Sequence, residues 1–236
     1  MPGALEGVVV LDLSWILSGP YCTMLLADLG AEVIKIERPG VGDAARGTGP
    51  FVTHTEGAGK GTEQVSAYFM SLNRGKKSVT LDLKRPEGRD IALRLADASD
   101  IVIENFRPGV MERLGLGAET LRERNPRLIY ASVTGFGQSG PYAERPAYDL
   151  IVQAMGGLMS LTGYEGLPPI KTYFPLIDRI TALHACIGAL AALREREISG
   201  VGQSLEVCLA DTGFTVNEIP ICAYLGDGQL TERPSQ

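Results

Sequence analysis

The stretch YFPLIDRITALHACIGALAALRERE (173–197) sets an aspartate, Asp178, at the mouth of a long apolar helix. A carboxylate there has two uses. It is ionised at neutral pH, with an unperturbed pKa of about 3.9, and can attack an electrophilic carbonyl. It is also among the best helix N-caps, accepting backbone N–H bonds from the first turn. Position alone favours capping, and Asp149, just ahead of LIVQAMGG, reads the same way. His184, one or two turns into the apolar helix, reads as a satisfied core histidine, and His54, in a Gly-rich stretch, as solvated.

A second set of groups suits phosphate. Arg38, Arg107 and Arg113 fall in loops after apolar runs, where forked guanidinium hydrogen bonds can hold an anion. Taken singly, each reads better as a solvated surface arginine. The first loop, SWILSGP, lacks the GxGxxG fingerprint, and Glu37 at the end of the second strand is followed at once by Arg38. An arginine there fits a nucleotide with an extra ribose phosphate better than NAD. The chain has no GxSxG elbow and no Walker loop. Its cysteines, Cys22, Cys186, Cys208 and Cys222, show no CxxC and no ligand spacing with histidine, so no metal site is expected and a reduced protein is.

These groups need a scaffold, and the patterning supplies one. GVVVLDL (7–13) reads as a buried parallel strand, and AEVIKIE (31–37), SVTLDL (78–83), DIVIEN (100–105), RLIYASV (127–133) and QSLEVCL read as further strands. YCTMLLADLG, PEGRDIALRLADA, AETLRERN, YDLIVQAMGGLMSLTG and 179–197 read as helices, with a further apolar helix from about Asp211. Pro20 suits the start of the first of these and Gly30 its C-terminal cap. Such alternation predicts an α/β fold, Rossmann-like and doubly wound, with a mostly parallel sheet. Ligands then sit beyond the C-terminal strand ends, at SWILSGP, RPG, NFRPG and TGFGQSG. Residues 40–75 read as a long irregular Gly-rich loop, and the last residues, GDGQLTERPSQ, as the start of a linker.

Bulk composition narrows the partners. At 236 residues, 44% hydrophobic and 21% charged, the chain can bury a sizeable core. A net charge of −6 argues against general binding to nucleic acid or anionic membranes. The N-terminus shows no signal peptide, and the apolar run 180–193 is short of the ~20 residues that span a bilayer, so a cytoplasmic protein with no membrane contact is expected.

Five stretches in one order carry a family resemblance: VLDLSWILSGPYCTMLLADLGAEVIKIERPGVGDAAR, NRGKKSVTLDLK, IVIENFRPGVMERLGLG, NPRLIYASVTGFGQSGPYA and AYDLIVQAMGGLMSLTG. They resemble the family III CoA-transferases (the CaiB/BaiF group), which also include α-methylacyl-CoA racemases. The resemblance runs over residues 7–225. It implies a large CoA-binding domain over 1–210, with 211–236 a helix and the start of a linker to a small domain absent from this sequence. It also implies that Asp178 occupies the place of the catalytic aspartate, which is acylated by an acyl-CoA thioester before a carboxylic acid accepts the CoA. The backbone at Ile16 and Leu17 would approach the coenzyme, and Arg38 would lie against the adenine or its 3′-phosphate. Leu81, Asp82, Lys84, Asn105, Phe106 and Arg113 would line the rest. Tyr148 would stand near the thioester, where the racemases carry a histidine, so transferase is favoured over racemase or epimerase. A non-catalytic CoA- or nucleotide-binding fragment is the remaining alternative. Arg179, beside Asp178, leaves two roles open: pairing with the carboxylate, or meeting an acidic acceptor. The resemblance further implies no permanently bound cofactor, acyl-CoA and a small carboxylic acid as substrates, and an interlocked homodimer.

Overall fold

The computed structural model describes residues 3–55 and 62–233; the side chain of His54, and its expected solvation, lie outside the described residues. In chain order the elements are β1 (Val9–Asp12), α1 (Ser18–Asp28), β2 (Glu32–Glu37), a 3-10 turn (Ala44–Gly47), β3 (Phe51–Thr55), β4 (Thr62–Ser66), α2 (Ala67–Asn73) and β5 (Lys76–Thr80). Then come α3 (Pro86–Asp97), β6 (Ile101–Glu104), α4 (Val110–Arg113), α5 (Ala118–Arg124), β7 (Ile129–Thr134), α6 (Asp149–Met155) and α7 (Leu158–Leu161). The last are α8 (Leu176–Ser199), β8 (Ser204–Cys208), α9 (Leu209–Thr215) and α10 (Glu218–Asp227).

Six strands form one sheet in the order β5-β2-β1-β6-β7-β8, every neighbouring pair parallel. Strand alternation divides the core in two. Val10, Val33, Ile101, Ile103, Ile129 and Ala131 meet α1 and α8 on one face, while Leu11, Ile36, Val102 and Tyr130 meet α3, α4 and α5 on the other. The fold is thus the doubly wound α/β sheet expected. Its strand order reverses between β1 and β6, and the loops after those two strands border the crevice where such sheets bind ligands.

Four local expectations change. Residues 40–75 are not irregular throughout: β3 and β4 pair antiparallel, and α2 follows, its first turn capped by the Ser66 hydroxyl accepting from the Phe69 N–H at 3.0 Å. β-Branched residues in FVTHT and TEQVS carry that hairpin, and the glycines around them mask the signal. The third long strand is 76–80 instead of 78–83, so Leu81, Asp82 and Lys84 stand past its C-terminal end. The helix expected from Tyr148 breaks into α6 and α7 at Gly156–Gly157, Gly157 having φ +86°. Last, α8 has 24 residues and is long and apolar enough to cross a bilayer by length and composition. In this fold it lies on α1, β7 and β8. Only one side is buried, through Ile177, Ala182, Ala185, Ala189 and Leu193, while Leu183 and Ile187 face outward. His184 is exposed on that outer side and is not a core histidine.

Candidate active site

The loop between β1 and α1 is tied down at each residue. Lys35, at 1% exposure, donates to the Ser14 carbonyl at 2.7 Å and pairs with Asp43 at 2.9 Å. Asn105, after β6, accepts the Trp15 N–H and donates to the Trp15 carbonyl, both at 2.8 Å, so one amide staples the two loops across the switch point. The Ile16 N–H donates to Asp43 at 3.1 Å. Ile16 has φ +67°, a left-handed conformation that a β-branched side chain adopts only under constraint. Beneath the loop lies Asp12, fully buried, with Lys76 at 3.0 Å and Lys35 at 3.9 Å. Burial alone would raise its pKa; the two lysines, with Ser14 and Thr23, hold it well below the carboxylate range instead.

The clamped loop delivers Ser18 as the first residue of α1, two positions earlier than the Pro20 start expected from sequence. Pro20 is accommodated because N–H groups in a first turn lack intrahelical partners anyway. The Ser18 hydroxyl donates to Asp178 Oδ1. Asp178 is not the N-cap of α8. Pro175 holds that position without a side-chain cap, and Asp178 is the third helical residue. The cap comes from another element: Asp149 Oδ1 accepts the Asp178 N–H at 3.0 Å. Asp149 likewise fails to cap its own helix, where Tyr148 is the N-cap; its other oxygen takes Gln153. Capping and chemistry, which position alone assigned to one residue, are divided between two.

Asp178 is partly buried, and its pKa is pushed up to about 6. Burial is the chief cause and the Asp149 charge adds to it, while the Ser18 hydrogen bond and Arg179 oppose. The Arg179 guanidinium lies 5.0 Å from the Tyr21 ring and makes no ion pair with Asp178 among the described residues. Tyr68 of α2 is a neighbour that sequence did not indicate. Burial, with the Asp178 charge second, moves its hydroxyl up to about 12.

A cavity of about 300 Å³ opens over this carboxylate, lined by Trp15, Ile16, Leu17, Ser18, Asn105, Phe106, Arg107, Arg145, Tyr148 and Asp178 among others. A second, of about 220 Å³, shares Trp15 and Phe106 with the first and adds Arg38, Leu81, Asp82 and Lys84. There the Arg38 guanidinium stacks 4.2 Å over Trp15, with Phe106 edge-on to the same indole at 5.9 Å. Glu37 leaves Arg38 free for the cleft by turning to Arg46 at 2.6 Å and Ser78 at 2.6 Å. On the other flank of Asp178 a third cleft, of about 260 Å³, lies among Tyr148, Lys171, Tyr173 and Phe174.

All but one of the expected site residues therefore border these two adjoining clefts, which share Trp15 and Phe106 as walls and together make up the groove over Asp178. Arg113 is the exception: it sits exposed on α4, folded back against Gly109, while Val110 and Leu114 of that helix face the groove. Trp15, Ser18 and Arg145 were missed. Trp15 and Ser18 lie inside the SWILSGP loop already marked as ligand-facing, so the loop was legible but the roles of its members were not.

A doubly wound parallel sheet with a groove at its switch point, basic at one end and carrying an ionisable carboxyl at the other, defines an α/β protein with a candidate ligand site where such sheets bind ligands. The chain belongs to CoA-transferase family III, whose profile matches residues 5–236. It is 44% identical over 235 residues to succinyl-CoA:mesaconate CoA-transferase of Haloarcula hispanica, covering 98% of this chain and 58% of that protein. To acetyl-CoA:oxalate CoA-transferase of Acetobacter aceti it is 46% identical, covering 98% of this chain and 57% of the relative. The crystal structure of a CAIB/BAIF family protein from Brucella suis superposes with a TM-score of 0.93 at 42% identity, over 99% of this chain and 60% of that one. The chain thus spans somewhat more than half the length of these relatives.

Proposed function

We propose that the chain moves CoA from an acyl-CoA to a free carboxylic acid, with Asp178 as covalent nucleophile. The observation that carries this reading is one groove running from the Arg38/Trp15 stack to the Asp178 carboxylate. Adenine would stack at Trp15 and Phe106, its phosphates facing Arg38 and Lys84, while the pantetheine arm runs past Ile16 and Leu17. A carboxylate oxygen of Asp178 attacks the thioester carbonyl carbon, the C–S bond breaks, and CoA leaves as thiolate, giving a mixed aspartyl anhydride. The thiolate attacks the aspartyl carbonyl, releasing the donor acid and leaving an aspartyl-CoA thioester. The acceptor carboxylate then attacks that thioester, forming a second anhydride and freeing the thiolate again. Attack of the thiolate on the acceptor's carbonyl yields the new acyl-CoA and restores Asp178. Two flanks of one carboxyl, each with its own cleft, suit a donor and an acceptor that arrive separately.

Tyr148 is 67% exposed at the cavity mouth, and the resemblance that sets it at the place of the racemases' histidine supports transferase over racemase. The apolar faces left open by α8 and α10 suit a second copy in a homodimer; Ile187, Ile219 and Leu225 are each more than half exposed. The mechanism is tested by incubating the chain with acyl-CoA and hydroxylamine. Mass spectrometry should find Asp178 modified in the wild type and no modification in D178N; an unmodified Asp178 in protein that is turning over rejects it.

A further inference from the structure

Ser18 has a task that its place in the chain does not advertise. A serine at a helix start ordinarily turns its hydroxyl to nearby backbone. This one, 4% exposed, donates instead to a carboxylate 160 positions away in sequence, and among the described residues that is the hydroxyl's one hydrogen bond. Everything around it restricts movement. Of the four loop residues before it, Ser14, Trp15 and Ile16 are held by Lys35, Asn105 and Asp43. Leu17 is buried. Gly19 lies so close to Ser14 that an added Cβ would come within 2.2 Å of the Ser14 Cβ. The left-handed backbone at Ile16 is a local cost that persists because these contacts outweigh it.

We propose that Ser18 is a positioning residue for Asp178: its hydroxyl pins Oδ1 so that Oδ2 is presented to the thioester carbonyl. The inference rests on the reading of Asp178 as nucleophile and adds what aims it. The other groups facing Asp178 cannot do this. Asp149 of α6 is an anion whose carboxylate is occupied by the Asp178 N–H and by Gln153. Arg179 of α8 is turned to Tyr21, and among the described residues Tyr68 of α2 and Tyr148 at the start of α6 make no hydrogen bond to the carboxylate. Among those residues Ser18 is the one side-chain donor to it, and a donor to an ionised oxygen both fixes its rotamer and favours its charged form.

The test needs no turnover. In protein labelled with carboxyl-¹³C aspartate, the Asp178 resonance is assigned by its loss in D178N and followed against pH. In S18A the titration midpoint should rise by about one pH unit, a tenfold change in the ionisation constant, and S18T, which keeps the hydroxyl, should bring it back. A midpoint unchanged in S18A overturns the proposal, and so does a raised midpoint that S18T leaves raised, because that would be packing. Hydroxylamine trapping with acyl-CoA separates this from the reaction itself. Asp178 that shifts in S18A but is never acylated in the wild type fails the transferase reading and keeps the serine contact. Asp178 that is acylated equally fast in S18A and wild type at pH 5.5 overturns the positioning role and keeps the transferase reading.

Discussion

At the scale of single residues, the Asp178 carboxyl is costly to the fold when charged. Its folded-state pKa of about 6 lies above its ordinary 3.8, so the folded chain holds the proton more tightly than the unfolded one. Stability is therefore greatest with Asp178 protonated and is lost as pH rises from about 4 through about 6, by at most about 3 kcal/mol. Urea unfolding should find D178N more stable than wild type at pH 7.5 and the two alike below pH 4. A site carboxyl that weakens the fold while ionised is a familiar exchange of stability for function. Asp149 acts twice on this carboxyl, by capping α8 and by repelling its charge. D149N should therefore lower the Asp178 midpoint, read by the same ¹³C titration, while reducing stability by about 1 kcal/mol for the weakened cap. Arg38, over Trp15 at the far end of the groove, predicts a different phenotype: R38Q should weaken CoA binding about tenfold or more by calorimetry. The loss should shrink as salt rises, since screening acts on exposed charge.

Among elements, the loop from Ser14 to Leu17 carries the site, and a buried charge holds the loop. Lys35 is 1% exposed, with Asp43, Asp12 and the Ser14 carbonyl as partners. Truncating one member of a buried pair strands the others, so K35M should cost about 3–5 kcal/mol in denaturant unfolding and raise hydrogen exchange at the Ile16 amide. This part of the site was poorly legible. Nothing in AEVIKIE marked Lys35 as buried; it is enclosed because its strand lies between β5 and β1 with both faces covered. Leu81, Asp82 and Lys84 came from the resemblance alone: the pattern ran the strand to residue 83 and so kept Leu81 and Asp82 inside it, whereas the strand ends at Thr80 and the run LDLK turns into the cleft. The β3–β4 hairpin and α2, which brings Tyr68 near Asp178, were hidden by the glycines on either side.

For the whole molecule, burial is uneven. The two core clusters are dense, while α10 contributes no buried residue and Ile198, Ile219 and Leu225 are each more than 70% exposed. Sedimentation velocity should show a species heavier than the monomer that dissociates when Ile219 and Leu225 are replaced by Glu, since an apolar patch of this kind marks a covered surface. Taken alone, the sequence determined the class of fold, the parallel strands in it, and which loops border the clefts, because these follow from periodicities of two and 3.6 residues and from where glycine and proline interrupt them. By resemblance it also singled out Asp178. The tertiary structure alone decided that Ser18 holds that carboxylate, that Asp149 caps in its place, and that Arg113 faces away from the groove. The reason is physical: a hydrogen bond between residues 18 and 178 or a charge buried under a switch-point loop depends on how distant segments pack, and local pattern holds no record of that distance.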